Sequence, residues 1–396
     1  MAEFRRVYLD NSATTPVAPE VLDAMLPYLT DRFGNASSIH FFGQEAKAAV
    51  DRARHQIASL INSRPNEVTF TSGGTEANNL AIRGLAQANP VGRHIITSVI
   101  EHSAVQAPCQ DLEKQGYEVT YLPVYENGVV RVEDVRTALR EDTFLISIMM
   151  ANNEIGTLQP VEEIGRWVRE LRAEGRKLWF HTDAVQAAGK VNIDVEEIGC
   201  DLLSISAHKI YAPKGVGCLY VRRGVRLHPQ NLGGHQERER RGGTEAVPNV
   251  VAFGAAAELV KRDLENSSVT LAALRDRLES SVCEIVPRTT VNGDRDRRIP
   301  TVSNISFDGI EGEGLLINLD MQGVAVSTGA ACSSGTIEPS PIIKALGASD
   351  ERSRGAIRFS FGRFNSSEDV ERVLEVLPRA VEGLRSLAPA TRPPSA

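Results

Sequence analysis

The first two thirds of the chain alternate short, β-branched apolar runs with stretches of helical periodicity. Apolar residues spaced three and four apart over residues 46–61 predict an amphipathic helix that ends near Asn62 and Pro65. Six strand-like runs follow, with helical segments between several of them: 68–71, 94–97, 144–149, 178–181, 202–205 and 217–221. This pattern predicts an α/β domain with a mainly parallel sheet, whose site lies at the carboxyl ends of the strands.

The pattern changes near residue 262. A helical stretch is followed by three apolar runs and a last helical stretch from residue 366: 271–282, 302–307, 324–327 and 357–361. We interpret this part as a smaller α+β domain, completed by an N-terminal strand around residues 7–9.

The predicted domain organisation therefore has three parts. The large α/β domain comprises residues 17–261, and the small α+β domain comprises residues 1–16 and 262–386. Residues 387–396, rich in proline and alanine, are expected to form a disordered tail.

Composition narrows the class of protein. A chain of 396 residues exceeds one ordinary core, and 42% hydrophobic with 24% charged residues is typical of a globular protein. The net charge of -7, with basic residues interspersed among acidic ones, argues against nucleic-acid binding. Five scattered cysteines without a C-x-x-C pair fit neither a disulfide framework nor a zinc site, so we expect no metal and a reducing compartment. Without an apolar leader or spanning run, we expect a soluble, cytoplasmic protein with no membrane contact.

A glycine pair stands where the first strand-like run turns into a helical pattern. Residues 68–72 run into Gly73, Gly74, Thr75 and Glu76. Glycines at such a turn expose backbone N–H groups, and a helix N-terminus favours an anion, of which phosphate is the natural example. The same turn also fits an ordinary helix start capped by Thr75.

Two charged side chains follow later strand-like runs. Asp183 ends the run at residues 178–182, where a buried carboxylate requires a cation, unless it only caps a helix. Lys209 follows the run at residues 202–206, where desolvation would make its amine nucleophilic toward carbonyls, unless it extends to solvent. Together with a phosphate cradle, these groups meet the needs of pyridoxal phosphate, which requires phosphate donors, a carboxylate for its ring nitrogen and a lysine for its aldehyde.

Four further residues carry candidate chemistry. His102 follows the run at residues 94–97 and could stack on a ring or move protons, although a lone histidine is commonly structural. Asn152 and Asn153 follow the run at residues 144–149, where an Asx turn is the alternative. Cys332 lies among glycine, alanine, serine and threonine, which predicts a mobile segment with a reachable sulfur. The alternative is a loop cysteine without chemical duty.

These motifs resemble the NifS/IscS-type cysteine desulfurases, class V aminotransferases among the fold-type-I pyridoxal phosphate enzymes. The similar stretches cover all but about the last dozen residues: 8–16, 34–40, 71–76, 101–102, 152–156, 181–186, 206–209, 215–217, 241–244, 327–340 and 357–360. The resemblance implies a fold-type-I PLP-dependent transferase, with a large domain around a mainly parallel seven-stranded sheet flanked by helices, and a smaller α+β domain. It also implies a homodimer.

The resemblance assigns roles to individual residues. Lys209 would bind the cofactor aldehyde as a Schiff base, Asp183 would pair with the ring nitrogen, and His102 would stack on the ring and shuttle protons. Gln186 and Asn153 would contact the ring hydroxyl. The phosphate would be held by a larger set, in which Thr244 reaches across from one subunit to the other: Gly74, Thr75, Ser206, His208 and Thr244. Arg358, with help from Asn35, would hold the substrate carboxylate.

The implied reaction takes sulfur from L-cysteine. The cofactor makes the Cβ–S bond cleavable, the Cys332 thiolate attacks the sulfur, a persulfide remains on the enzyme and L-alanine leaves. An unperturbed thiol with a pKa near 8.5 is only about 3% ionised at pH 7, so local activation or proton transfer, with His102 as acceptor, is expected.

The sequence after Cys332 resembles the mobile-loop group I, whose members pass sulfur to iron–sulfur scaffolds and tRNA-thiolation proteins. The C-terminal residues differ from the stretch with which housekeeping members dock a scaffold, which leaves the acceptor open. A selenocysteine lyase, and a related aminotransferase in which Cys332 has no role, are the alternative activities. An aminotransferase would keep Lys209 and Asp183 but would not need the thiol.

Overall fold

A computed structural model describes residues 6–89, 92–329 and 339–387 of the protein. The strands are β1 (Val7–Tyr8), β2 (Val68–Thr71), β3 (His94–Ser98), β4 (Glu118–Leu122), β5 (Thr143–Ser147), β6 (Trp179–Asp183), β7 (Leu202–Ser206), β8 (Gly217–Val221), β9 (Thr289–Val291), β10 (Val302–Phe307), β11 (Val324–Ala325) and β12 (Ala356–Ser360). The α-helices are α1 (Pro19–Met25), α2 (Phe41–Leu60), α3 (Gly74–Ala88), α4 (Ser103–Glu113), α5 (Val132–Thr137), α6 (Val161–Ala173), α7 (Val195–Ile198), α8 (Val247–Ile285), α9 (Gly312–Met321), α10 (Pro341–Ala345), α11 (Asp350–Arg354) and α12 (Ser367–Leu387). Cys332 lies outside the described residues.

The central sheet has seven strands in the order β2-β8-β7-β6-β5-β3-β4. All neighbours pair in parallel except β8, which is antiparallel to both β2 and β7. The predicted mainly parallel sheet is therefore confirmed. Strand β4 was not predicted, because it is an edge strand whose first four residues are exposed or half-buried and so lack a continuous apolar run.

Helices cover both faces of this sheet. Ile95 and Leu202 point to one face and pack in a cluster with residues of α3 and α4. The next residues, Ile96 and Leu203, point to the opposite face and share a cluster with residues of α2, α6 and α8. Because side chains alternate along a strand, runs that are apolar throughout are buried from both sides, and each such side chain contributes about 1.5–3 kcal/mol. Polar residues at the ends of these otherwise apolar, buried strands are therefore exceptions that packing does not explain.

Helix α8 spans 39 residues and crosses the predicted domain division at residues 261–262 without a break. Its first half buries Phe253 and Ala257 in the cluster beside the sheet. Its second half buries Leu278 and Val282 in a different cluster, which also contains Val7. The stretch at residues 262–268 is too polar to show an apolar period, so the pattern alone did not predict one continuous helix. The division between a large and a small domain remains a prediction.

The second cluster lies around two small sheets. Strands β12, β10 and β9 form an antiparallel sheet, and β1 pairs in parallel with β11. Isolated bridges join Asp10 to Ser360 and Ser327 to Arg358. These pairings bring the end of β1, strand β12 and the residues just before position 330 together. Within the described ranges, no helix has both the length and the apolarity required to cross a membrane.

Candidate active site

A cavity of about 450 Å³ opens where several parallel strands of the large sheet end. Its size suits one small ligand. Its lining includes many of the polar residues that the sequence predicts for the site: Gly74, Thr75, His102, Asn153, Asp183, Gln186, Ser206, His208 and Lys209. The lining thus combines residues that follow β2, β3, β5, β6 and β7, because the carboxyl ends of parallel strands meet at one edge.

The turn from β2 into α3 forms one wall of this cavity. Gly73 has φ +155° and ψ -176°, a conformation that is essentially restricted to glycine. A side chain at Gly74 would bring its Cβ within 2.8 Å of Val185 Cγ2, so only glycine lets the turn lie this close to β6. The first backbone N–H groups of the 15-residue helix α3 are left for a ligand, beside the buried Ser206.

The electrostatic surroundings of this turn favour an anion. His208, Lys209 and Lys214 all line the same cavity. Burial lowers the pKa of His208 to about 4, and the positive charges of Lys209 and Lys214 act in the same direction. A neutral histidine, an ammonium group and free N–H groups around one space are the donors that a phosphate group needs.

Asp183 lines the same cavity and is almost fully buried. Its Oδ1 accepts a hydrogen bond of 2.9 Å from the backbone N–H of Val185, and its Oδ2 accepts one of 2.7 Å from Asn78 Nδ2. Burial raises the pKa of Asp183, whereas these two donors favour the ionised form. A buried carboxylate held in this way suits a protonated ring nitrogen. Asn78 was not predicted, although a polar residue beside Ala77 and Leu80 on the buried face of α3 is a usable signal.

Lys209 ends the short 3₁₀-helix Ala207–Lys209 that follows β7. Its Nζ donates hydrogen bonds to the backbone carbonyls of Ser12 and Ala13, and the second of these is 2.7 Å long. Ala13 also lines the cavity. The turn after β1 therefore holds the amine at the cavity, a role that the pattern of residues 8–16 did not reveal.

His102 caps the N-terminus of α4. Its Nδ1 accepts a hydrogen bond of 3.0 Å from the backbone N–H of Ala104, and burial lowers the pKa of the ring. A neutral imidazole that accepts at Nδ1 carries its proton on Nε2, an assignment made from this hydrogen bond. In this state Nε2 donates a proton rather than accepting one, so accepting the Cys332 proton, as expected from the sequence, requires another state of the ring.

Gln186 and Asn153 complete the polar lining. Gln186 Nε2 donates to the carbonyl of Ser12 at 3.0 Å, and Gln186 Oε1 accepts from Lys190 Nζ at 2.9 Å. The backbone carbonyl of Asn153 accepts a hydrogen bond of 3.1 Å from Arg358. Lys190 was not predicted, because a lysine seven residues beyond Asp183 has no sequence signal of burial.

Three predicted site residues that the structure describes do not line the cavity: Arg358, Asn35 and Thr244. Arg358 is buried, and its guanidinium donates to Asp10 Oδ1 at 2.6 Å. Asn35 is exposed, and its Oδ1 accepts from the backbone N–H of Ser37 at 2.9 Å. Thr244 is exposed as well. Cys332 belongs to the part of the chain that is not described.

Comparison with known proteins identifies the family. A family model described as aminotransferase class-V matches residues 7–373. The chain belongs to this family. A cysteine desulfurase IscS from Methanosarcina thermophila is 51% identical over 390 residues, which cover 98% of this chain and 95% of that protein. A solved structure of a NifS-like protein has a TM-score of 0.89 and 35% identity, and covers 96% of this chain and 100% of its own. A structure of SspA in complex with cysteine has a TM-score of 0.79 and 36% identity, with coverage of 91% and 100%.

Pyridoxal 5'-phosphate is the cofactor of this family, and the described residues fit it. The glycine turn, Ser206 and His208 suit the phosphate, the buried Asp183 suits the ring nitrogen, and Lys209 presents an amine for the aldehyde. When bound, this cofactor withdraws electrons from the Cα of an amino-acid substrate, which makes bonds at Cα and Cβ cleavable.

Proposed function

We propose that the chain is a cysteine desulfurase that takes sulfur from L-cysteine, releases L-alanine and holds the sulfur as a persulfide on Cys332. The observation that carries this proposal is the meeting of Lys209 and Asp183 with an anion cradle in one cavity. The relatives named above support the choice of substrate, because the printed names of two of them refer to cysteine. The reaction cleaves the Cβ–S bond of the substrate, forms an S–S bond to Cys332 and places a proton on the carbon that becomes the alanine methyl group.

Two side chains at the cavity are our candidates for moving protons in this reaction. Lys209 Nζ donates hydrogen bonds to backbone carbonyls at the cavity. An amine at this position can take a proton from the Cα of the substrate and return it. His102, with its Nδ1 occupied by the backbone of α4, presents an Nε2 proton. This division gives His102 the role of a hydrogen-bond donor toward the substrate, while Lys209 acts as the base.

Arg358 is our candidate for the substrate carboxylate. Its Nε is buried and has no hydrogen-bond partner among the described residues, while its two other nitrogens bond Asp10 and the Asn153 carbonyl. A buried guanidinium with a free donor beside a cavity-lining residue suits an incoming carboxylate. Substrate would have to compete with Asp10 for this cation. Asn35 would join only if its loop is covered by another subunit.

A homodimer is the proposed assembly. Phe33, Ile39 and Phe41 expose 69%, 93% and 75% of their surfaces, and the rings of Phe33 and Phe42 stack at 5.6 Å. So many exposed large apolar side chains within ten residues indicate an interface rather than a solvated surface. Burial of this patch by a second copy would also give the exposed Thr244 a way to reach the phosphate site of the other subunit.

The sulfur acceptor and the compartment are proposed at a coarser level. We propose an iron–sulfur scaffold or a tRNA-thiolation protein as the acceptor, because the segment around Cys332 resembles that of such sulfur donors. The four described cysteines are free thiols, of which Cys109, Cys200 and Cys218 are buried. Unpaired thiols are consistent with the reducing cytoplasm.

The decisive experiment is the reaction with L-cysteine in the Cys283→Ser background, which removes the exposed cysteine among those described. Without reductant, we expect equimolar alanine and a mass gain of one sulfur atom on the Cys332 peptide. With reductant, we expect repeated sulfide release. The Cys332→Ala variant should keep the absorption of the bound cofactor and lose sulfide release. Sulfide formation by this variant at the parental rate would exclude the persulfide route, and a keto-acid product would indicate an aminotransferase.

A further inference from the structure

Lys190 is a buried lysine just behind the cavity. It is 9% exposed and follows β6 by seven residues. Its Nζ donates to Gln186 Oε1 at 2.9 Å, and no carboxylate lies within ion-pair distance of it in the described ranges. Desolvation of a buried amine without an anionic partner destabilises the folded protein. Stability therefore does not account for a lysine at position 190, which points to a role in the site.

The hydrogen bonds of Lys190 lead directly to the site. Gln186 Oε1 accepts a hydrogen bond from Lys190 Nζ. Gln186 Nε2 donates a hydrogen bond of 3.0 Å to the backbone carbonyl of Ser12. Lys209 Nζ donates to the same carbonyl. A side-chain amide has an oxygen that accepts and a nitrogen that donates, so the donor on Oε1 fixes which end of Gln186 faces Ser12 and the cavity.

A second observation places Lys190 near Lys209. Both lysines line a small cavity of about 20 Å³, together with residues such as Tyr211 and Thr301. Burial lowers the pKa of the Lys190 amine to about 7, and the charges of Lys209 and Arg358 act in the same direction. Even as a neutral amine, Lys190 keeps a hydrogen to donate to Gln186.

We propose that Lys190 is a positioning residue that orients the Gln186 amide, so that its NH₂ group, and not its oxygen, faces the ring oxygen of the bound cofactor. This inference rests on the proposed contact between Gln186 and that oxygen. Without Lys190, Oε1 loses its donor and only the bond from Nε2 to the Ser12 carbonyl still favours this orientation, so the amide turns over more readily. The turned amide would place a carbonyl oxygen against an oxygen of the ligand and remove one hydrogen bond.

The test is a double-mutant cycle with Lys190→Met and Gln186→Ala, measured by the dissociation constant of the cofactor and by the position of its visible absorption band. Lys190→Met should weaken cofactor binding by about three- to tenfold, as expected for one hydrogen bond, and shift the band. In the Gln186→Ala background, Lys190→Met should have no further effect. Lys177→Met, which removes an exposed lysine outside the cavity lining, is the matched control and should change neither value.

A stability measurement separates positioning from a structural role. Methionine fills much of the lysine's space without a buried amine, so the cofactor-free Lys190→Met protein should unfold at the same temperature as the parent or a higher one. Lower stability of this variant, or additive effects in the cycle, would overturn the proposal. If Gln186→Ala alone leaves cofactor binding unchanged, the Gln186 contact in the proposed function fails instead.

Discussion

Asn78 and Asp183 link helix α3 to strand β6 through a hydrogen bond of 2.7 Å between Nδ2 and Oδ2. Asn78 lies four residues after Gly74, so the same helix provides the anion site at its first turn and a donor to the carboxylate one turn later. A ligand that spans both features would meet the start of α3 at its phosphate and Asp183, supported by the same helix through Asn78, at its ring nitrogen.

Asp183→Asn should change both the stability of the protein and its affinity for the cofactor. Burial raises the pKa of Asp183 in the folded protein, so the native state binds more protons than the unfolded state at pH values between the two pKa values. The stability contributed by this group therefore falls as the pH rises through that window. Asp183→Asn should make the cofactor-free protein more stable at pH 7, and should weaken cofactor binding by about ten- to a hundredfold through loss of a charged partner.

Thermal unfolding of the cofactor-free protein and absorbance titration with the cofactor measure the two effects of Asp183→Asn. Asn78→Ala should have a smaller effect on cofactor affinity, because it removes one hydrogen-bond donor to Asp183 and keeps the charge of the carboxylate. Unchanged cofactor affinity in Asp183→Asn would contradict the assignment of this carboxylate to the ring nitrogen.

Glu101 leads to a prediction about pH. Its Oε1 accepts from Ser98 Oγ at 2.7 Å and from the Met149 N–H at 2.8 Å, whereas Oε2 is buried without a described partner. Burial raises the pKa of Glu101 to about 8. The stability from this group is therefore complete below the ordinary carboxyl pKa and is lost as the pH rises toward 8, at up to about 1.4 kcal/mol per pH unit.

Glu101→Gln should remove most of this pH dependence, because glutamine keeps an acceptor oxygen and never ionises. Urea unfolding of the cofactor-free parent and variant at pH 6 and pH 8 measures it. Equal losses of stability in both proteins between these values would show that Glu101 is not the titrating group.

Gly329 and Ser340, which flank Cys332 in the sequence, both lie against Glu154. Ser340 Oγ donates to Glu154 Oε2 at 2.6 Å, and a Cβ at Gly329 would lie 2.5 Å from the same oxygen. Gly329→Ala should therefore destabilise the protein by about 1–3 kcal/mol and slow persulfide formation on Cys332 at unchanged cofactor binding. Rapid-quench mass analysis after mixing with L-cysteine measures the rate.

Gly347→Ala is the control for backbone strain. Gly347 has nearly the same φ, +80° against +83° at Gly329, but a Cβ there meets no atom within 4 Å. Gly347→Ala should cause a backbone strain similar to that of Gly329→Ala and leave the rate of persulfide formation unchanged. Equal rates in both variants would mean that contact with Glu154 has no effect on sulfur transfer.

The buried ion pair of Arg54 and Glu237 supports the loop that leads to Thr244. The two carboxylate oxygens accept from the guanidinium at 2.7 and 2.8 Å, and Glu237 Oε2 also accepts from the Phe70 N–H. Glu237→Ala would leave Arg54 buried and unpaired, so we expect a loss of about 3–5 kcal/mol in the free energy of unfolding. Glu371→Ala, which breaks the exposed pair with Arg277, should cost less than about 1 kcal/mol, and similar losses in both variants would contradict this.

Much of the seven-stranded sheet and of the helices around it follows from local patterns along the chain. Strands such as β5 and β7 are buried on both faces, so their apolar runs are long and unmistakable, and the residues just after them stand out because they are polar. Asp183 and Lys209 were found in this way, and both line the cavity. Strand β4 and the middle of α8 were missed, since an exposed edge and a polar helical stretch lack that contrast.

Contacts between distant parts of the chain required the folded structure. Nothing near Lys190 in the sequence shows that it is buried, and nothing near Arg358 shows that Asp10, 348 residues earlier, is its partner. Residue types and the local hydrophobic period are read from the sequence alone. They specify which chemical groups are available. Which groups meet, which lose their water and which pKa values shift depend on the packing of strands from different parts of the chain, so they exist only once the sheet has formed.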